Sequence, residues 1–196
     1  ATQAAGKVPI DMGAMGIDFL TLSSHKIGGP QGVGALCFGL CGVAPVLING
    51  GGQEKSLRAG TYNVAGIVGF GRAADIALKE IKAFHTETLA YQTLIEGFLH
   101  KFNRVKIYGT ASPRVSNTSF FSVEGVNSET LLMALDLEGV AVSNGSACSS
   151  GKVDASKVLL AMGEREDLAK SAIRISTGWG TSQDEIDRFL TIFEKI

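Results

Sequence analysis

Several features that mark membrane, secreted and nucleic-acid-binding chains are missing from this sequence of 196 residues. No apolar stretch approaches the roughly 18 residues that a membrane-spanning helix needs. The N-terminus has no basic segment leading into an apolar one, so no secretory leader is expected. Lys and Arg, 18 against 19 Asp and Glu, form no basic run, and the formal net charge of −1 gives no general pull toward nucleic acid or an anionic membrane. Cysteine is scarce and odd in number: three thiols argue against a disulfide framework and for a reducing, cytoplasmic setting. Cys37 and Cys41 form a C-x3-C pair without two further ligands nearby, so buried apolar thiols on or beside a strand are expected in preference to a metal site. An initiator methionine is absent too. The chain opens at Ala1 and runs at once into sequence that reads as the middle of a domain, so a fragment is expected.

What is present is a globular composition, 45% hydrophobic and 19% charged, with enough apolar residues for a core and a length suited to one large domain or two small ones. Glycines punctuate the first part, at Gly28-Gly29, Gly32, Gly34, Gly50-Gly51-Gly52 and Gly60. The apolar runs between them, Phe19–Leu22, Gly34–Phe38 and Val46–Ile48, have strand length. The segment Val64–Ala83 turns helical, and a second long helix follows with Leu94, Ile95, Phe98, Leu99 and Phe102 as a core-facing stripe. Beyond it the pattern alternates. Strands are expected at Val105–Tyr108, Ser116–Val123, Val140–Ser143 and Ala172–Ser176, from their β-branched and aromatic content. Helices are expected at Ser128–Leu137, Ser156–Met162 and Gln183–Lys195. Gly139 and Gly163 suit left-handed ends for the first two, and Thr181 an N-cap for the third. A domain boundary is placed near residues 80–85.

Four segments carry chemistry. The first is Ser23-Ser24-His25-Lys26-Ile27-Gly28-Gly29-Pro30, directly after a strand. It suits a buried lysine amine approached closely by a ligand, with glycines removing the Cβ obstacle and Ser23 and His25 as phosphate donors. A lysine desolvated there could attack a carbonyl as the free amine; a surface lysine in a loop is the plainer alternative. The second is Ser143-Asn144-Gly145-Ser146-Ala147-Cys148-Ser149-Ser150-Gly151, where small neighbours would leave Cys148 exposed and mobile as a nucleophile needs; a chance cysteine in a loop competes with that reading. The third, Arg58 to Asn63, could hold an anion, although a plain turn with a solvated arginine explains it as well. The fourth is Arg174, between Ile173 and Ile175. Alternation points it away from the isoleucines, toward a substrate carboxylate held by its guanidinium fork or toward a structural ion pair. His85 and His100 read as solvated or packing residues.

Together these segments resemble the NifS/IscS-type cysteine desulfurases of the class V aminotransferase superfamily. The motifs that carry the likeness are Ser-Ser-His-Lys-x-Gly-Gly-Pro, the stretch from Gly50 to Thr61, Gly-Ser-Ala-Cys-Ser-Ser and Ile-Arg-Ile-Ser, in family order from Gln3 to the last helix. The resemblance implies an α/β chain of the fold type I transferases that use pyridoxal 5'-phosphate (PLP). Residues 1–82 would be the C-terminal part of the PLP-binding large domain, and residues 83–196 the complete small domain with its mobile cysteine loop. It implies that Lys26 holds PLP as a Schiff base and shuttles the substrate Cα proton. Ser23 and His25 would bind the phosphate, Thr61 would reach the phosphate of the neighbouring subunit, and Gln3 would bond the phenolic oxygen. Arg174 would hold the carboxylate of L-cysteine. Cys148 would take the sulfur as a persulfide, leaving L-alanine, for delivery to an iron–sulfur scaffold or another acceptor. The long small-residue stretch from Cys148 to Gly163 resembles the branch with a mobile persulfide-carrying loop.

The resemblance further implies a homodimer, while charge and hydropathy point to no role for nucleic acid or membrane, and no metal site is expected. The family's aspartate at the pyridine nitrogen would fall just before Ala1, and its ring-stacking histidine further upstream, so this chain by itself is expected to be inactive or nearly so. A selenocysteine lyase, another class V aminotransferase, and a cofactor-free fragment that only binds a partner are the alternatives. The thiol separates the first reading from the aminotransferases, which need none. In the complete protein Cys148→Ala should abolish persulfide formation from L-cysteine while PLP absorbance remains, and retained desulfuration would remove Cys148 from its role.

Overall fold

Two of the glycine-bounded apolar runs near the start form strands, as expected, and pair with each other. β1 (Phe19–Ser23) and β2 (Gly34–Phe38) form an antiparallel ribbon with Leu20 opposite Cys37 and Leu22 opposite Ala35. The computed structural model describes residues 1–39, 44–145 and 155–196, which fall into two units, Ala1–Ala83 and Phe84–Ile196. Cys37 is half-buried on β2, and Cys41 lies outside the described residues. Val46–Ile48, expected as a strand, makes only a single bridge, Ile48 with Arg58.

The two expected helices of the middle region are one, α1 (Val64–Leu99), 36 residues long. From Arg72 to Glu96 no glycine or proline interrupts the helix-forming run, so nothing stops it near residue 83. Its C-terminal part buries Tyr91, Ile95 and Leu99 while Leu94 faces out, 43% exposed.

The second unit is built on an antiparallel sheet of order β3-β4-β6-β5: β3 (Val105–Ile107), β4 (Thr118–Val123), β6 (Ala172–Ser176) and β5 (Ser143–Asn144). Phe121 opposes Ile173 across β4 and β6, and both are fully buried against α1, α2 (Ser128–Leu137) and α5 (Gln183–Phe193), which add Leu131, Leu135, Phe189 and Phe193. The side-chain period of two sends the alternate residues to the other face, where Phe120 and Ala172 meet Leu159 of α3 (Lys157–Ala161) and Ala169 of α4 (Glu166–Lys170). α4 was not foreseen: at 5 residues it is too short for a hydrophobic period to register. A buried carboxylate completes the first face. Glu96 of α1 accepts both Arg114 Nη1 and Nη2 at 2.6 Å and Ser119 Oγ at 2.8 Å, the pairing and hydrogen bonding that a charge taken out of water requires.

Two local expectations are corrected. Val140–Ser143 is not a strand: Gly139, at φ 77°, and Val140 donate back to Asp136 and Leu135 and close the end of α2. Pairing therefore begins only at Ser143. The N-cap of α5 is Ser182, not Thr181. Ser182 and Glu185 satisfy each other's backbone N–H in a capping box, while Thr181 Oγ1 accepts from the Gly178 amide at 3.0 Å. Among the described residues no helix is long and apolar enough to cross a membrane.

Ser182→Ala removes the cap and should lower unfolding stability by about 1 kcal/mol, measured by denaturant titration; Thr181→Ala, whose side chain only closes the preceding turn, should lose less.

Candidate functional site

Lys26 sits on a one-turn 3-10 helix, Ser24–Ile27, that leaves the end of β1. The turn divides its side chains sharply: Ser24 is fully buried, whereas His25 and Lys26 are exposed. The expected burial of the lysine amine is thus absent, because it is Ser24 that this turn points inward. The Ser24 amide donates to Val33 O and the Gly29 amide to Ser24 O, both at 3.0 Å, which fixes the turn at both ends. Ser23 Oγ and His25 Nδ1 lie 3.0 Å apart. The tautomer of the ring decides which of the two atoms donates in this contact.

The glycines of this segment serve packing more than ligand approach. A Cβ on Gly29 would lie 2.2 Å from Ser24 Oγ and 3.0 Å from Ala73 Cβ. On α1, a Cβ at Gly66 would come within 2.4 Å of Val33 Cγ2, and one at Gly69 within 2.6 Å of Pro30 Cγ. Gly66, Gly69, Ala73 and Ala77 share one helical face, and against this bare stripe the lysine turn is seated. Gly28, by contrast, meets nothing and adopts φ 81°, the left-handed end of the turn.

Gln3, expected at the same site, is exposed on a turn bracketed by that structure. The Ala1 nitrogen donates to Thr21 O at 3.0 Å, and Gly6 abuts Ile27 and Ala77. Lys7 Nζ donates to Gln3 Oε1 at 3.4 Å. Thr61 is exposed two residues before Asn63, whose Oδ1 accepts the Gly66 amide at 3.1 Å. The segment leading to it is strained: Glu54, Lys55 and Ser56 have φ of 50°, 56° and 68°, a region that costs non-glycine residues about 1 kcal/mol or more each. Tyr62 Oη, accepting the Glu54 amide at 2.9 Å, and Gln53 Oε1, accepting that of Gly60 at 3.3 Å, tie the turn to itself. Arg58 is exposed.

In the second unit Arg174 lies on the sheet face opposite Ile173 and Ile175, half-buried, between Phe120 on β4 and Ser143 on β5. Among the described residues it has no carboxylate partner, and its buried Nε has no hydrogen bond. Arg114, by contrast, is paired to Glu96. The structural ion pair weighed for Arg174 is therefore not found among these residues. Ser143 was not singled out as a partner of Arg174, because a cross-strand neighbour 31 residues away has no local signature. On the same face burial pushes the Tyr108 phenol up, and the hydrogen bond from Lys106 holds the Glu164 carboxyl down. Cys148 lies outside the described residues. His85 and His100 are exposed. No cluster of three or more His, Cys, Asp or Glu among the described residues could hold a metal ion.

Comparison with known proteins matches residues 1–189 to the family model described as Aminotransferase class-V. The cysteine desulfurase IscS of Dictyoglomus turgidum is 39% identical over 197 residues, covering all of this chain and 50% of that protein. A probable mitochondrial cysteine desulfurase of Dictyostelium discoideum is 43% identical over 203 residues, covering all of this chain and 44% of its own length. Among solved structures, a NifS-like protein from Rickettsia africae superposes with a TM-score of 0.88 at 36% identity, over 99% of this chain and 51% of the other. The chain thus spans about half the length of the curated relatives it matches.

Gly29→Ala should destabilise the protein by about 1–3 kcal/mol through overpacking against Ser24 and Ala73. Gly28→Ala should cost about 1–2 kcal/mol, for its left-handed backbone alone. Thermal melts of the two variants with Ala73→Gly added separate the causes: relief confined to the Gly29 variant supports the packing, and equal relief in both contradicts it.

Proposed function

The chain belongs to the class-V aminotransferase family, with the fold type I architecture of its NifS-like neighbours, and we propose that it is part of a PLP-dependent cysteine desulfurase. The observation that carries the reading is the Lys26 turn. It presents an exposed primary amine one residue from a hydroxyl–imidazole pair, on a backbone locked by Gly29 against α1. That donor set fits PLP: an amine for its aldehyde, Ser23 and His25 for its phosphate, and the Gln3 amide for its phenolic oxygen. Names of cysteine desulfurases among the relatives support the choice of reaction within the family.

In this reading residues 1–82 belong to the large, cofactor-binding domain and residues 83–196 form the small domain that carries Cys148. Bound PLP supplies an electron sink at the substrate's amino-bearing carbon. Lys26 Nζ holds the cofactor and later carries the proton at the substrate Cα. Arg174, half-buried and without a carboxylate partner among the described residues, holds the carboxylate of L-cysteine; a fixed guanidinium in a partly desolvated site binds it more strongly than one in water. The Cys148 thiolate attacks the substrate sulfur. A bond forms between the two sulfurs, the substrate Cβ–S bond breaks, and the product carbon takes up a proton to give L-alanine. The persulfide then passes to a sulfur-acceptor protein, an iron–sulfur scaffold in the reading favoured here. The active form is a homodimer in which Thr61 reaches the phosphate held by the neighbouring subunit, and it works in the cytoplasm.

The relatives are about twice as long, so the test belongs on the full-length protein containing this chain. After loading with PLP and borohydride reduction, peptide mass mapping should place the cofactor on Lys26. Lys26→Ala should lose the covalent adduct; an adduct on another lysine of the unaltered protein would overturn the assignment.

A further inference from the structure

β5 is two residues long, and both are spent on β6: Ser143 stands opposite Arg174 and Asn144 opposite Ile173. The next residue, Gly145, is held flat on the same strand, since a Cβ there would lie 2.9 Å from Ala172 Cβ and 3.3 Å from Ser156 Cβ. The place of Ser143 beside Arg174 is therefore set by backbone pairing on one side and by a close approach that only glycine permits on the other. From that fixed place Ser143 Oγ accepts a hydrogen bond from Arg174 Nη2 at 3.4 Å. It is the one side-chain acceptor given to this guanidinium among the described residues, and Phe120 occupies the opposing cross-strand position.

Resting on the proposed carboxylate role of Arg174, we propose that Ser143 is a positioning residue for substrate recognition: it holds the Arg174 guanidinium in the orientation that receives the carboxylate. An arginine head group has five N–H donors in a rigid plane, and its usefulness as a carboxylate clamp depends on the direction of that plane. One N–H anchored on Ser143 restrains rotation and leaves the remaining Nη N–H groups of the fork to a ligand. Without the anchor, ordering the guanidinium falls on the binding step. The bond is long, so the effect is modest and confined to ligands that carry a carboxylate.

The test uses the full-length, PLP-loaded protein and two probes that differ only in that group, L-alanine and L-alaninol, with dissociation constants read from cofactor absorbance. Ser143→Ala should weaken L-alanine about 3- to 10-fold, the range expected for one modest hydrogen bond, and shift L-alaninol by less than about twofold on the same reasoning. Ser143→Thr, which keeps the acceptor, should restore most of the L-alanine affinity. Arg174→Lys should produce a larger loss with the same selectivity. If Arg174→Lys is selective and Ser143→Ala weakens both probes alike or neither, the role of Ser143 is overturned while that of Arg174 stands. If Arg174→Lys leaves the ratio of the two affinities unchanged, the carboxylate site itself is misassigned and the inference falls with it.

Discussion

The close approach of the lysine turn to α1 is the constraint on which the first unit depends. Strand β1 must stop, turn once and reverse into β2, and the turn seats itself where the helix offers no side chain larger than a methyl group. Gly66, Gly69, Ala73 and Ala77 provide that bare face, and Gly29 removes the last obstacle on the turn. Packing this tight has a chemical consequence. With Ser24 buried and its backbone bonded to Val33 and Gly29, the next two side chains, His25 and Lys26, have no room beneath them and project outward. A rigid platform with exposed functional groups is what a covalent cofactor site asks of a fold.

In the second unit the governing fact is the two-sidedness of β4 and β6. One face is the main core, where Phe121, Ile173 and Ile175 pack against three helices and Glu96 is neutralised by Arg114. The other face carries a thinner cover from α3 and α4 over Phe120 and Ala172, and it is here that Arg174 emerges. The same alternation that builds the core therefore delivers a half-buried cation to the less covered face. A fully buried position would demand a permanent partner, and a fully exposed one would weaken any carboxylate bond by hydration.

Much of this was legible in the residues. The strands β1, β2 and β6 and helix α2 were placed to within a residue, because apolar runs bounded by glycine or by capping residues mark their own ends. The direction of Arg174 followed from a period of two. What could not be read was set by distant or very local geometry. Continuity of α1 shows only as the absence of a break, and α4 is shorter than any period. The capping box chose Ser182 over Thr181 through Glu185, three residues on. Lys26 was expected to be buried because a functional amine suggests a pocket, yet the packing that decides the matter belongs to Ser24 and to a helix some 40 residues later. The pairing of Ser143 with Arg174 was equally invisible, since β-register between distant segments leaves no mark in either. The role given to Cys148 rests on its motif alone, as the residue lies outside those described.

The central claim is that this chain belongs to an enzyme that moves sulfur from L-cysteine to one of its own thiols. Incubating the full-length, PLP-loaded protein with L-cysteine, then quantifying alanine and mapping added sulfur by peptide mass spectrometry, addresses it directly. The account predicts alanine formed in step with one extra sulfur atom per chain, carried on the peptide containing Cys148. Alanine without bound sulfur, or sulfur found on Cys37 or Cys41 while Cys148 stays a free thiol, would contradict it.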